Sequence, residues 1–498
     1  MSNLQSGENR QGHIGLRGGR DSRGTIDPFS DQTKDAIQPS TTSKSGQPHP
    51  GPHLAIARCE HDHSTQKSHS SNDVELSVNK LPPELLSLIF KNCQTWWGTD
   101  VILPGSHGFP WVIGQVCSLW RQVLWTIGDI WSGIRIRSSL VLGVQETLPS
   151  ILHQLMTQFH GLVSLEVPVL EIGVFTKLMA PCSGRLRSLR LTLSFDLLGI
   201  FLNLPLNYLA ALESLDVAIA KAPLVLPVMT RQTNALREAP HLDSFSISYP
   251  YQIKRLGPIY SPSGLWLPWS QLTFLHCRGA HSIADVHTVL SQCVALVECV
   301  VVVRPFHAED TTDGHRLPIA LPHLRTFTFS PFSGDVDWAM FLEPFVLPSL
   351  DGLGCDNWAL EPFRALVSRS KCCLRELECF MEASFADPFD VNDLCGFLRM
   401  LPSLVLLSTI ALPPVFDLIS RGELLPHIAT LNCSVEIDGL DAFLDLMEKF
   451  PPGKGIQSAY ISLYHELNEA DEVNRRFISV CDQFLEEGRD ITMEIFAD

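Results

Sequence analysis

The sequence predicts an α/β fold: an irregular solenoid of parallel strands and helices, preceded by a small all-α module and a polar tail. Three observations carry that prediction. From about residue 150 onward an apolar–x–x–apolar–x–apolar register returns every 24 to 30 residues. Ahead of it, residues 75–136 read as short amphipathic helices. Residues 1–74 are rich in Ser, Gly, Gln, Asp, Thr and His and poor in aromatic or branched apolar side chains. The expected divisions are therefore a tail over 1–74, a helical module over 75–136 and a repeat array over 137–498.

A segment like the tail has too little apolar surface to offset the entropy of ordering its chain, so disorder is expected there. His61, His63 and His69 stand near Cys59 in it. A solvated tail without fixed ligand geometry accounts for them better than a metal site does. No metal is expected.

The module opens at Leu81-Pro82-Pro83-Glu84, where prolines supply a fixed φ in the first helical turn and Glu84 suits the helix N-terminus. Leu81, Leu85, Leu88 and Ile89 recur at helical spacing and make one apolar face. A Gly- and Pro-containing loop is expected from about 98 to 110. A second helix follows from Trp111 to about Thr126, with Ile113, Val116, Trp120, Val123 and Leu124 on its apolar side. Gly128-Asp129 breaks it, and Ile134-Arg135-Ile136 reads as a strand.

The repeats begin with Leu162/Leu165/Val167 and Leu186/Leu189/Leu191, and run through Leu324/Phe327/Phe329 and Leu374/Leu377/Cys379 to Ile456/Ala459/Ile461. The last three residues of each alternate as a half-buried strand does. Between them lie helical stretches such as Leu152, Leu155, Met156 and Phe159, or Ile283, Val286, Val289 and Leu290 behind a Ser282 cap. One strand and one helix cannot bury a face alone, whereas a stack shares a core. This is the logic of a leucine-rich-repeat solenoid. The common pattern has Asn or Cys three residues past the strand's last apolar position, and none of these repeats has either there, so the array is irregular.

Charge and cysteines narrow the function. The net charge is −17, all of it from 75–498, because residues 1–74 hold eight basic and eight acidic side chains. Nucleic acid is therefore not an expected partner, since phosphate binding wants a basic face. The 14 cysteines are scattered with no CxxC spacing, as expected of reduced thiols in the cytoplasm and/or nucleus. Leu191–Leu212 is the most apolar stretch, but Asp196, Asn203, Pro205 and Asn207 interrupt it, so no membrane partner is expected.

The run Leu81-Pro82-Pro83-Glu84-Leu85-Leu86-Ser87-Leu88-Ile89-Phe90, then Val116-Cys117-Ser118-Leu119-Trp120-Arg121, then Ile130-Trp131, resembles the F-box. More narrowly it is similar to the F-box proteins abundant in mushroom-forming fungi. The resemblance covers about 55 residues, with a longer loop over 94–110 than short F-boxes carry. It implies docking on the Skp adaptor and, through it, a cullin, with the repeats capturing an unknown protein for ubiquitination. Carried onto this chain, the docking face comprises Leu81, Pro82, Leu85, Leu88, Ile89, Val116, Trp120 and Trp125. The implied role is the non-catalytic substrate-recognition subunit of an SCF-type ubiquitin ligase. The alternative is a leucine-rich scaffold that uses the F-box for assembly without ubiquitination.

No catalytic constellation competes with that reading, and no cofactor is expected. Gly453-Lys454 lacks the remainder of a phosphate loop, and no nucleophile elbow or HExxH zinc motif occurs. The polar group His307, Glu309, Asp310, Asp313 and His315 reads as a solvated loop. Arg364, Arg369, Lys371 and Arg375 read as a charged helix end. Target binding is expected along the outward strand row, with Phe274, His276, Glu376 and Glu378 as candidate contacts, because side chains flanking the inward positions alternate to the other face.

Overall fold

The computed structural model describes residues 81–97, 100–103, 109–136, 148–167, 172–221, 235–250, 264–305, 317–332, 336–355, 360–379, 391–410, 412–435, 437–450, 455–463 and 472–495. The chain divides between Val74 and Glu75 into two units, and every described residue lies in the second. The tail over 1–74, its histidine group and the polar group over 307–315 fall outside the described residues.

The second unit is an α/β, solenoid-like array with one large parallel sheet. Its strands are β1 (Asp100–Leu103), β2 (Gly133–Ile136), β3 (Val163–Val167), β4 (Leu186–Ser194), β5 (Ser214–Lys221), β6 (Ser244–Ser248), β7 (Phe274–His281) and β8 (Glu298–Val303). They continue as β10 (Thr326–Pro331), β12 (Gly352–Cys355), β13 (Glu376–Cys379), β14 (Leu406–Ile410), β15 (Thr430–Val435), β16 (Ser458–Leu463) and β17 (Asp490–Ile495). These 15 strands pair in chain order, while β9 (Ile319–Ala320) and β11 (Phe345–Val346) form a separate two-stranded ribbon.

The helices are α1 (Pro83–Trp97), α2 (Trp111–Val116), α3 (Ser118–Thr126), α4 (Leu148–Gln158), α5 (Ile172–Met179), α6 (Phe195–Leu202) and α7 (Ile283–Leu290). Then come α8 (Trp338–Leu342), α9 (Leu360–Ser370), α10 (Val391–Leu398), α11 (Pro413–Ser420), α12 (Ile437–Lys449) and α13 (Glu472–Glu486).

The strand register follows the sequence repeat. Leu165, Leu189, Leu215, Phe245, Leu275, Cys299, Phe327, Leu353, Leu377, Leu407, Leu431 and Ala459 stand side by side in one buried column. The first repeat departs by one residue. Leu162 is exposed, and Val163 takes the inward place opposite Leu186, across a register shift between Val163 and Ser164. Inward and outward exchange with every residue along a strand, so that slip moves a leucine into solvent.

Helix caps match the sequence in detail. The Ser282 side chain accepts from the Asp285 N–H at 3.1 Å, and Ile283, Val286, Val289 and Leu290 are buried. Where α8 is only five residues long, aromatic volume fills the layer. Phe327, Phe329, Phe341, Phe345 and Phe363 are all buried, with ring centroids of neighbouring pairs 5.1–6.1 Å apart. The His287 ring stacks on Phe341, and its Nε2 lies 2.8 Å from the Phe341 carbonyl.

The all-α module expected over 75–136 is not what the fold contains. Within the expected loop, residues 100–103 form β1, which pairs in parallel with β2 and opens the large sheet. The helices therefore share one sheet with the repeats. The helix expected from Trp111 to Thr126 is also broken. Cys117 is extended (φ −158°, ψ 173°), ends α2, and caps α3 by accepting from the Trp120 N–H at 3.5 Å. Arg121 ties the two pieces together by donating from Nε to the Gly114 carbonyl at 2.9 Å.

Candidate functional site

Two surfaces hold the candidate residues. Among the described side chains of α1, Leu86 and Phe90 are fully buried, and Cys93, with Leu81 just ahead of the helix, packs partly against the core. Leu85, Leu88 and Ile89 point the other way, so the helix carries two apolar faces rather than one. Together with Val112 and Val116 of α2, these side chains are 41–58% exposed. Pro82 is exposed at the start of the same helix. Large apolar side chains left in water on α1 and α2, both of which pack on α3, are candidates for an interaction surface.

The remaining three members of the expected docking set, Leu81, Trp120 and Trp125, are half-buried. Trp120 is half-buried with its ring edge-on to Phe90 at 5.2 Å, and its buried Nε1 has no hydrogen-bond partner among the described residues. Trp125 stacks on Trp131 at 4.1 Å and 8°, while Trp131 donates from Nε1 to the Leu124 carbonyl at 3.0 Å. Leu81, Trp120 and Trp125 thus pack partly against the core, and Pro82, Leu85, Leu88, Ile89 and Val116 are exposed. Val112 is exposed as well and lies outside the expected set. Its signal was weak, because it adjoins Ile113, which packs against the core.

The second surface is the outward strand row. Its N-terminal part neutralises itself. Arg135, Glu166, Arg190 and Asp216 are register partners on β2 to β5. Arg135 donates to Glu166 at 2.7 Å and Arg190 to Asp216 at 2.9 Å, with Arg190 also 3.9 Å from Glu166. Farther along, Phe274 meets His276 edge-on at 6.0 Å, and Arg278 donates from Nε to His276 Nε2 at 2.6 Å. Burial and the Arg278 charge hold the His276 pKa below its ordinary value, as suits a neutral ring accepting that bond.

On β13, Glu376 is exposed and Glu378 half-buried, and burial with the Glu376 charge beside it raises the Glu378 pKa. Their register partners on β12 are Gly352 and Gly354, which face Thr326 and Thr328 on β10. A Cβ on Gly354 would sit 2.9 Å from Thr328 Oγ1, so any larger residue there requires the Thr328 side chain to shift. β7 and β13 are four strand steps apart, about 19 Å at ordinary strand spacing. The fold therefore separates Phe274 and His276 from Glu376 and Glu378 into two places on the row.

The basic group at the end of α9 is partly structural. Arg369 donates to the Phe345 and Leu342 carbonyls at 2.9 and 2.8 Å, and Arg364 pairs with Glu361 at 2.6 Å. Among the described residues no group of three or more His, Cys, Asp or Glu side chains is placed to hold a metal ion. No described helix is long and apolar enough to cross a membrane.

No protein-family profile matches the sequence, and no curated protein does. Among solved structures, a Bacteroides fragilis protein from a structural genomics consortium is similar over 63% of this chain and 74% of its own, at 11% identity and a TM-score of 0.29.

Proposed function

We propose that the chain is the substrate-recognition subunit of an SCF-type ubiquitin ligase. In this reading it docks on the Skp adaptor through its N-terminal helices and presents the strand row of a leucine-rich-repeat array to a target protein. It contributes no catalytic residue of its own and acts by bringing target and ligase together. The observation that carries the reading is the exposed apolar face of Leu85, Leu88, Ile89, Val112 and Val116 over a braced interior of Leu86, Phe90 and Trp120. Large apolar side chains on a rigid support are what a protein–protein anchor requires. The F-box resemblance of the same residues names the partner.

The test is capture of purified Skp adaptor by the full chain and by Leu85→Asp and Leu88→Asp variants. The wild type binds, and each variant loses binding while keeping its circular dichroism and melting temperature. Binding that survives both substitutions would sink the assignment.

A further inference from the structure

Helix α13 is the last of the helix layer and β17 the last of the sheet. Each leaves one side without a described neighbour. β17 is hydrogen-bonded on one side to β16, and among the described residues no strand lies on its other edge. The faces of α13 can be assigned from its contacts. Arg476 donates to Asp445 and Glu448 of α12 and so marks the side toward α12, while Phe477, Val480 and Phe484 are buried and mark the core. At 3.6 residues per turn, Ile478 and Leu485 then lie about 180–200° round the helix from Arg476. They face away from α12, on the same end of the array as the open edge of β17, and are 54% and 60% exposed with half-buried Cys481 between them. Arg475, Asp482 and Glu486 flank this stripe, all exposed, and none has an ion-pair partner among the described residues.

We infer that this end face docks a second copy of the same chain, α13 against α13 and β17 against β17, about a two-fold axis. The face fits its own copy. An antiparallel helix pair exchanges Ile478 and Leu485, so each meets the other across the axis. It also brings Arg475 at one end of the helix alongside Glu486 at the other end of its copy. A parallel pair would set like charges together. The same axis, perpendicular to the sheet, turns the two β17 edges antiparallel, the arrangement in which two identical edges can hydrogen-bond symmetrically. β17 reads Asp-Ile-Thr-Met-Glu-Ile, without the lysine or proline that usually guards an open edge. The inference is independent of the ligase reading.

Sedimentation velocity on the full chain over a wide concentration range tests it. At high concentration the species has the mass of two chains. Ile478→Glu with Leu485→Glu raises the dissociation constant at least tenfold without altering circular dichroism. Arg475→Glu alone weakens association, and adding Glu486→Arg restores it. A single-chain mass at every concentration would overturn the proposal, as would a dimer indifferent to the double apolar substitution. If that double variant fails to fold, the charge reversal decides: restoration supports the interface, and no restoration rejects it.

Discussion

Helices α1 and α4 use nearly the same apolar residues and treat them in opposite ways. In α4, Leu152, Leu155 and Met156 are all buried against the sheet and the neighbouring helix, and polar side chains face water. In α1, Leu86 and Phe90 are buried, yet Leu85, Leu88 and Ile89 remain in solvent. Burial of such side chains stabilises by about 1.5–3 kcal/mol each. The α1 face forgoes that gain, and in the proposed function docking would supply it. The solenoid helices spend theirs on stacking, and a repeat array has no other source of a core.

The comparison can be broken most strongly in the aromatic layer around α8. Phe329→Ala should cost about 3–5 kcal/mol, because its neighbours Phe327, Phe341 and Phe363 are held on β10, α8 and α9 and do not close the cavity. Denaturant unfolding measures this, and a loss below about 1 kcal/mol would mean the layer is loosely packed.

A buried polar group gives the next effect. His281 lies at the end of β7, fully buried, edge-on to Tyr249 at 5.9 Å, and among the described residues neither ring nitrogen has a hydrogen-bond partner. Burial lowers its pKa from 6.5 to about 4, with Asp285 opposing weakly. The unfolded chain therefore binds the proton more readily than the folded one, and stability falls as pH drops from about 6.5 toward 4. The loss is on the order of 3 kcal/mol. His281→Phe should flatten that part of the melting-temperature profile. An unchanged slope would assign the acid sensitivity to other groups.

Adjacent leucines sharpen the contrast directly. Leu86→Ala should cost about 2–5 kcal/mol, as a filled core position does. Leu85→Ala should cost under about 0.5 kcal/mol, because its side chain is already half in water. Equal costs by thermal melting would mean that α1 sits differently against the sheet.

The smallest effect belongs to the self-paired end of the strand row. Arg190 and its acidic partners are more than a third exposed or nearly so, which screens them. Arg190→Ala should cost no more than about 1 kcal/mol at low salt and less at high salt. A salt-insensitive loss would indicate packing by the arginine stem instead.

The strand register and the faces of the repeat helices α4 and α7 were legible in the sequence, since periods of 2 and 3.6 residues are written into the order of apolar residues. Leu377, Leu407 and Leu431 could be set in one column before any coordinates, as could the Ser282 cap. Strand β1 was not legible. A four-residue strand between glycine- and proline-containing segments carries almost no periodic signal, and it becomes a strand because β2 offers it an edge. The slip from Leu162 to Val163 has the same origin, because two adjacent apolar residues leave the register ambiguous and the neighbouring strand settles it.

By itself, the sequence determined that this chain stacks strands and helices around one apolar layer, because local spacing dictates which side of each element avoids water. Only the tertiary structure decided which of the apolar residues on α1 and α2 stay outside, and that Phe274 and His276 stand about 19 Å from Glu376 and Glu378. Those outcomes depend on what packs against each element, and the neighbour of a face is a property of the assembled chain rather than of the segment that bears it.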